Sequence, residues 1–220
     1  MRDDETASQL RGFGPVGLLA IVVIIAADVL GKPVSALMVL AWAWRSRTPW
    51  RELGFVRPRS WLAAIAIGIA IGITVKLVMK AVVMPLLGAD PVNQTYHFVV
   101  GNRGALPAML YAILVGAAFG EEVIFRGFAF ERLRKLLGSS TRATVAIIVL
   151  TSLLFGIAHY ADQRLPGVQQ AVIVGLVYGA MYARTGSLAM PMIAHAAFDL
   201  TALWIIYWDL EEEVARSILG

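Results

Sequence analysis

Two adjacent glutamates and an arginine stand at the end of an apolar run in this sequence. Glu121 and Glu122 follow the run over residues 105–119, and Arg126 comes four residues after Glu122. Residues four apart lie on one face of a helix, so Glu122 and Arg126 can form an ion pair. Glu121 is turned by about 100° from Glu122 and has no partner at helical spacing. The pattern indicates a neutralised pair beside a carboxylate that is free to face a cavity.

Two of the three histidines also lie inside apolar runs. His159 follows Phe155 by four residues, and His195 precedes Asp199 by four, so the members of each pair share a helix face. The third histidine, His97, lies in a polar segment rich in turn residues, and we expect it at the surface. The candidate catalytic residues are therefore Glu121, His159, His195 and Asp199, and the residues expected to support the site are Glu122, Arg126 and Phe155.

These residue types support two kinds of chemistry. A carboxylate and imidazoles in a wet pocket can deprotonate water and stabilise a tetrahedral oxyanion. They can equally bind a metal, because His and carboxylate side chains are zinc ligands. The zinc-protease pattern His-Glu-x-x-His and the nucleophile elbow Gly-x-Ser-x-Gly are absent, and there is no cysteine. The residues favour activation of water by a glutamate, with or without a metal.

The composition places these groups in a membrane. Of the 220 residues, 59% are hydrophobic and 15% are charged, whereas a soluble domain is about half apolar and a quarter charged. The apolar runs are continuous, which favours helices over the alternating strands of a membrane barrel. The basic residues lie between the apolar runs, where they suit lipid headgroups. We therefore expect a lipid bilayer as a partner, and no nucleic acid.

Hydropathy predicts a single all-α membrane domain over residues 1–220, a polytopic bundle of about seven transmembrane helices within a range of six to eight. A helical span needs ~20 residues. Residues 1–104 would form the N-terminal spans and residues 105–205 the part that carries the motifs. The predicted spans cover residues 12–30, 33–44, 60–87, 143–161, 168–183 and 188–208, and a further one begins near residue 105.

The arginines give the expected orientation. Five of them fall between Arg45 and Arg59, and the positive-inside rule places this segment, and with it the N-terminus, in the cytoplasm. The polar segment 88–104 then lies on the outer side. We expect a multi-pass protein of the cell (cytoplasmic) membrane.

The motifs together resemble one family. Glu-Glu-x-x-x-Arg at 121–126, Phe-x-x-x-His at 155–159 and His-x-x-x-Asp at 195–199 occur in this order on successive predicted spans. The arrangement resembles the CPBP intramembrane metalloprotease-like family, which takes in the type II CAAX prenyl proteases and the bacteriocin-processing or self-immunity (Abi) proteins. Residues 184–191 and, more weakly, 53–59 also look like sequence of this family. The resemblance covers about residues 105–205.

The resemblance implies a helical bundle with a conical cavity that opens to the membrane and the cytoplasm. It implies that Glu121 and His159 activate the water that attacks a peptide carbonyl, and that His195 and residue 199 form the oxyanion site. The prenyl proteases have Asn at this last position. Because an ionised carboxylate only accepts hydrogen bonds, Asp199 is either protonated, or orients His195, or catalysis differs in this chain.

The sequence thus predicts an intramembrane endopeptidase that acts on a membrane-associated peptide or protein. We expect no cofactor; if the reaction depends on a metal, zinc held by Glu121, His159 and His195 is the expected one. The alternative is a non-proteolytic membrane scaffold or bacteriocin self-immunity protein that keeps the fold, and Asp199 in place of Asn favours it. A transporter that relays protons through the same residues is a third hypothesis. No pattern in the sequence indicates an oligomeric state.

Overall fold

The structure, a computed structural model, describes residues 2–218 of the chain. These residues form helices and connecting turns without a β-strand, which confirms the all-α class. The helices are α1 (Arg2–Arg11), α2 (Pro15–Ala26), α3 (Lys32–Arg45), α4 (Trp61–Leu86), α5 (Arg103–Leu137), α6 (Thr141–Ala158), α7 (Tyr160–Thr185), α8 (Ala189–Tyr207) and α9 (Glu211–Arg216).

Five of the described helices, α4 to α8, are long and apolar enough to cross a membrane. A sixth span results if α1 and α2, which meet at a bend of 63°, are counted as one broken span. The chain is therefore a multi-pass membrane protein, and the expected number of about seven spans is slightly too high. The predicted span at 33–44 corresponds to α3, whose 14 residues would extend only ~21 Å of the ~30 Å hydrocarbon core.

The bundle has two chemically different ends. α4 begins at Trp61, just after the arginines at 45–59, and ends at Leu86, just before the polar loop 87–102. We call these the arginine-rich end and the loop end. Arg11 joins the first helices to the arginine-rich end, since its Nη2 donates to the carbonyl oxygen of Ser46 at 2.7 Å.

α2 and α3 form a hairpin that enters from the arginine-rich end and turns back inside the bundle. The turn passes through Gly31, whose φ of 111° is a conformation that glycine adopts without strain. Lys32, the first residue of α3, brings its Nζ within 4.0 Å of Glu121 Oε1. The predicted span over residues 12–30 would place Asp28 near its far end, but the hairpin turn that contains Asp28 lies at the depth of Glu121.

A break in α7 replaces a predicted loop. The predicted spans over 143–161 and 168–183 leave residues 162–167 as a loop between them, but the chain is helical from Tyr160 onward except at Arg164, whose φ of 54° and ψ of −154° are not helical. Pro166 follows, and proline has no N–H for the helical hydrogen bond. The loop signal therefore marks a kink at the loop end.

The helix ends are not flush, and this offset sets the depth of the site. Counted from the arginine-rich end of the bundle, Glu121 lies 16 residues from the end of α5, whereas His195 lies only six residues from the start of α8. If both helices reached the same depth at that end, His195 would lie nearer to it than Glu121. The 35 residues of α5 are many more than the ~20 that a span needs, so its ends project beyond the hydrocarbon core. α8 begins beneath the segment at 50–56, where Leu188 N–H donates to the carbonyl oxygen of Gly54 at 2.9 Å. His195 is thereby level with Glu121.

Candidate functional site

A buried ion pair forms the base of the site. Arg126 Nη1 donates to Glu122 Oε1 at 2.9 Å, and the two side chains are 1% and 0% exposed. The pair predicted from the four-residue spacing is therefore present. The same Oε1 atom lies 2.8 Å from Nδ1 of His195, which comes from α8. Glu122 thus joins α5 to α8 and fixes the orientation of the His195 ring.

The other ring nitrogen of His195 faces two further carboxylates. Its Nε2 lies 3.7 Å from Glu121 Oε2 and 3.5 Å from Asp199 Oδ2. Glu121 Oε2 is buried and has no hydrogen-bond partner among the described residues. Glu121 and Glu122 point to opposite sides of one imidazole, so the rotation between adjacent residues of a helix separates their contacts as expected.

Phe155 places the second histidine. Its buried ring lies 4.6 Å from the Arg126 guanidinium and 4.6 Å from the His159 ring, measured between centres. His159 Nδ1 is 2.8 Å from the Phe155 carbonyl oxygen. Because a carbonyl only accepts, Nδ1 carries the proton in this contact and Nε2 of a neutral ring is left as an acceptor. The imidazole next to Glu121 is that of His195, whose Nε2 lies 3.7 Å from Glu121 Oε2.

A cavity of about 510 Å³ connects these groups. Glu121, His159, His195 and Asp199 all line it. The structure therefore brings the four candidate catalytic residues, from α5, the α6–α7 junction and α8, to one space. Glu122 and Arg126 lie directly behind the wall that Glu121 and His195 form.

The cavity leads from these residues to the loop end. Its polar rim includes Asp90, Asn93, Asp162, Arg164 and Glu211. The rim is held together across the bundle, since Glu211 Oε1 accepts from Lys80 Nζ at 2.8 Å and from the Asn93 N–H at 3.1 Å. The family resemblance implied an opening toward the cytoplasm, and the positive-inside rule places the opposite, arginine-rich end there. These two expectations conflict in this structure.

Two residues that contribute to the site, Lys32 and Tyr96, could not be predicted from the sequence. Lys32 Nζ bonds to Asp28 Oδ2 at 2.7 Å and lies 4.0 Å from Glu121 Oε1, so the α2–α3 turn contributes a cation to Glu121. Tyr96 lines the cavity from the loop 87–102. Burial raises the pKa of the Tyr96 phenol, and the nearby carboxylates of Asp199, Asp162 and Glu121 raise it further, so it stays a neutral hydrogen-bond donor.

The positions of the histidine and carboxylate side chains show whether they could bind a zinc ion. Glu121 and His195, two of the three residues named for a zinc site, are 3.7 Å apart. Among residues 2–218, however, no group of three or more His, Asp or Glu side chains is placed so that it could hold a metal ion. The side chains as packed do not fit a zinc ion, so we derive no reaction step through one.

The comparisons with known proteins concern the half of the chain that holds the site. A family model described as type II CAAX prenyl endopeptidase Rce1-like matches residues 103–201. This range runs from the start of α5 into α8 and includes all four candidate catalytic residues. No curated protein and no solved structure matches the chain significantly.

Proposed function

We propose, on the premise that residues 103–201 match the type II CAAX prenyl endopeptidase Rce1-like family, that the chain hydrolyses a peptide bond of a membrane-associated peptide or protein. One observation carries the proposal. Glu121 presents a buried carboxylate oxygen without a hydrogen-bond partner among the described residues to a cavity that two imidazoles also line. A partly desolvated carboxylate beside potential donors is suited to general-base catalysis.

In the proposed reaction, Glu121 takes a proton from water while His159 Nε2 accepts a hydrogen bond from the same water. The resulting hydroxide attacks the peptide carbonyl carbon and forms a tetrahedral intermediate with a negative oxygen. The protonated Glu121 then donates its proton to the leaving nitrogen as the C–N bond breaks. The products are a carboxylic acid and an amine, so one water molecule is consumed for each bond cleaved.

His195 is the proposed donor to the negative oxygen. Because Glu122 occupies the Nδ1 side at 2.8 Å, the Nε2–H of a protonated ring is free to point into the cavity. Asp199, whose Oδ2 lies 3.5 Å from that nitrogen, would supply a second hydrogen bond if it is protonated. Donors that are fixed before the reaction begins stabilise a developing oxyanion without reorganisation. Arg126 offsets the charge of Glu122 and so lets His195 be held by a carboxylate in an apolar setting.

Substitutions of Asp199 test its proposed role. We expect Asp199→Asn, which keeps a donor of the same shape, to retain peptidase activity within about tenfold of the parent, or ~1.4 kcal/mol. Asp199→Leu removes the donor and should lower kcat by about 10²–10³-fold, the cost of losing one oxyanion donor. The measurement is kcat on a reporter peptide in detergent micelles. An Asn variant as inactive as the Leu variant would show that the carboxylate itself is required.

Removal of metal tests the glutamate mechanism. The proposed steps use only side chains and water, so we expect exhaustive treatment with a chelator to leave the cleavage rate unchanged. Metal analysis of the same purified sample provides the control. A loss of activity that zinc restores would contradict this mechanism and would require a ligand arrangement different from the one described.

A non-proteolytic scaffold or self-immunity protein is the second candidate. The observation that favours it is Asp199, a carboxylate 3.5 Å from His195 Nε2 at a position where the prenyl proteases, by resemblance, have Asn. If Asp199 stays ionised, three carboxylates surround His195 and would disfavour an oxyanion. This candidate differs from the first in that replacement of Glu121 would leave its function intact.

A further inference from the structure

We propose that the cavity opens on the non-cytoplasmic side of the membrane and that its substrate is a peptide segment presented on that side. The inference rests on the proposed peptidase function and adds the side from which the substrate arrives. It depends on three observations: which residues line the cavity, what closes its other end, and how charge is divided between the two ends of the bundle.

All the elements that line the cavity lead to the loop end. They are the last turns of α4, the loop that follows it, the part of α5 before Glu122, the last turn of α6, α7 as far as Val174, α8 from His195 onward, and α9. No described residue before Lys76 lines it, and none of the segments 122–154 and 175–194 does so. A molecule that enters from water at the loop end therefore meets Glu121 and His195 at the inner limit of the cavity.

The opposite end is closed by packed side chains. Glu122, Arg126 and Tyr178 form a layer behind Glu121 in which each residue is at most 1% exposed. Beyond this layer, Leu53 is fully buried, and Ser187 Oγ donates to the Val56 carbonyl oxygen at 2.7 Å. The arginine segment thus covers the start of α8. A substrate from the arginine-rich end would have to displace a buried ion pair to reach the site.

Charge divides unequally between the ends. The segments at the arginine-rich end, residues 2–14, 45–60, 131–142 and 184–187, contain twelve Lys and Arg against five Asp and Glu. The segments at the loop end, residues 87–105, 159–166 and 208–218, contain three basic and six acidic residues. Basic residues in short loops stay on the cytoplasmic side during insertion. The loop end, and the cavity mouth with it, is therefore the non-cytoplasmic one.

This orientation decides which substrates can reach Glu121. A prenylated C-terminus of a cytoplasmic protein would meet the closed, arginine-rich end. A juxtamembrane segment of an exported peptide, or of a membrane protein on the far side, would meet the open end, where the rim combines backbone groups of the loop with acidic and basic side chains. The substrate class we infer is the second, a non-cytoplasmic peptide segment held close to the bilayer.

The absence of cysteine allows a direct test by labelling. Gln94→Cys places a thiol at the exposed rim, and Ser139→Cys places one at the exposed α5–α6 turn of the arginine-rich end. In intact cells, we expect a membrane-impermeant maleimide to label Gln94→Cys and to label Ser139→Cys only after permeabilisation. Labelling of Ser139→Cys before permeabilisation, or of Gln94→Cys only after it, would overturn the proposed orientation.

A second measurement separates this inference from the peptidase proposal. A hydrophilic reporter peptide is added to sealed vesicles of known orientation that contain the cysteine-free protein. We expect cleavage in right-side-out vesicles without permeabilisation, and in inverted vesicles only after it. Cleavage confined to the cytoplasmic face would overturn the inferred access. If labelling follows the expected pattern but no peptide is cleaved from either face, the open side stands as a binding surface and the peptidase function fails.

Discussion

Replacement of Glu121 by Gln is expected to lower kcat for peptide cleavage by about 10²–10⁴-fold, the usual contribution of a general base. The amide has nearly the shape of the carboxylate but cannot take a proton from water. The contacts of Glu121 with Lys32 Nζ at 4.0 Å and with His195 Nε2 at 3.7 Å are both longer than a hydrogen bond, so the loss of its charge should leave folding and membrane insertion intact. The measurement is the cleavage rate of a reporter peptide, with the unfolding midpoint recorded on the same sample.

Glu212→Gln is the matched control for this substitution. Glu212 lies on α9, where its side chain is 59% exposed, and it does not line the cavity. This variant should cleave at the parent rate. If Glu121→Gln also cleaves at the parent rate while it is folded, the glutamate mechanism is wrong. If cells retain a phenotype that depends on the protein when Glu121→Gln is inactive, the scaffold or self-immunity function gains support.

Replacement of Arg126 by Met is expected to destabilise the protein by about 3–5 kcal/mol, because it leaves the Glu122 carboxylate buried without its cation. The side chain of Glu122 is 0% exposed, so water cannot replace the guanidinium. The loss should appear as a lower unfolding midpoint in a denaturant titration in mixed micelles. His195 loses part of its support through Glu122, and we expect peptide cleavage to fall as well.

The chain contains its own control for this effect. Glu212 and Arg216 have the same four-residue spacing, but their side chains are 59% and 67% exposed and lie 3.5 Å apart. Arg216→Met should change stability by less than about 1 kcal/mol, as for most exposed pairs. The double variant Glu122→Gln, Arg126→Met removes both charges and should recover part of the stability. Equal effects of Arg126→Met and Arg216→Met would show that burial of the first pair is unimportant.

The parts of the site that could be predicted from the sequence are those that one helix determines. The contact between Glu122 and Arg126 follows from spacing alone, because residues four apart meet on any regular helix. Glu121 has no partner at helical spacing on α5, as expected, and its neighbours Lys32 and His195 come from other helices. The all-α class follows from the continuous apolar runs.

What the sequence did not predict depends on how helices are placed relative to one another. Counting residues assumes that all helices start at the same depth, and this assumption separated His195 from Glu121. The offset of α8 beneath the segment at 50–56 is a tertiary feature with no local pattern. Hydropathy alone made α3 a short span of its own and placed Asp28 near the far end of the span before it. The turn-forming residues near Arg164 predicted a loop, because such residues occur both in loops and at kinks within helices.

The pairing of Glu122 with Arg126 on a single helix has a consequence for biogenesis. An isolated charged residue at the centre of a nascent span costs ~2.5–3.5 kcal/mol during translocon-mediated insertion. These two side chains can meet as soon as α5 winds, before any neighbouring helix has docked, so the segment can partition into lipid with that pair already neutralised. The contact between Glu122 and His195, 73 residues apart in the chain, forms only when the last long helix arrives. Insertion and completion of the site are therefore separate events.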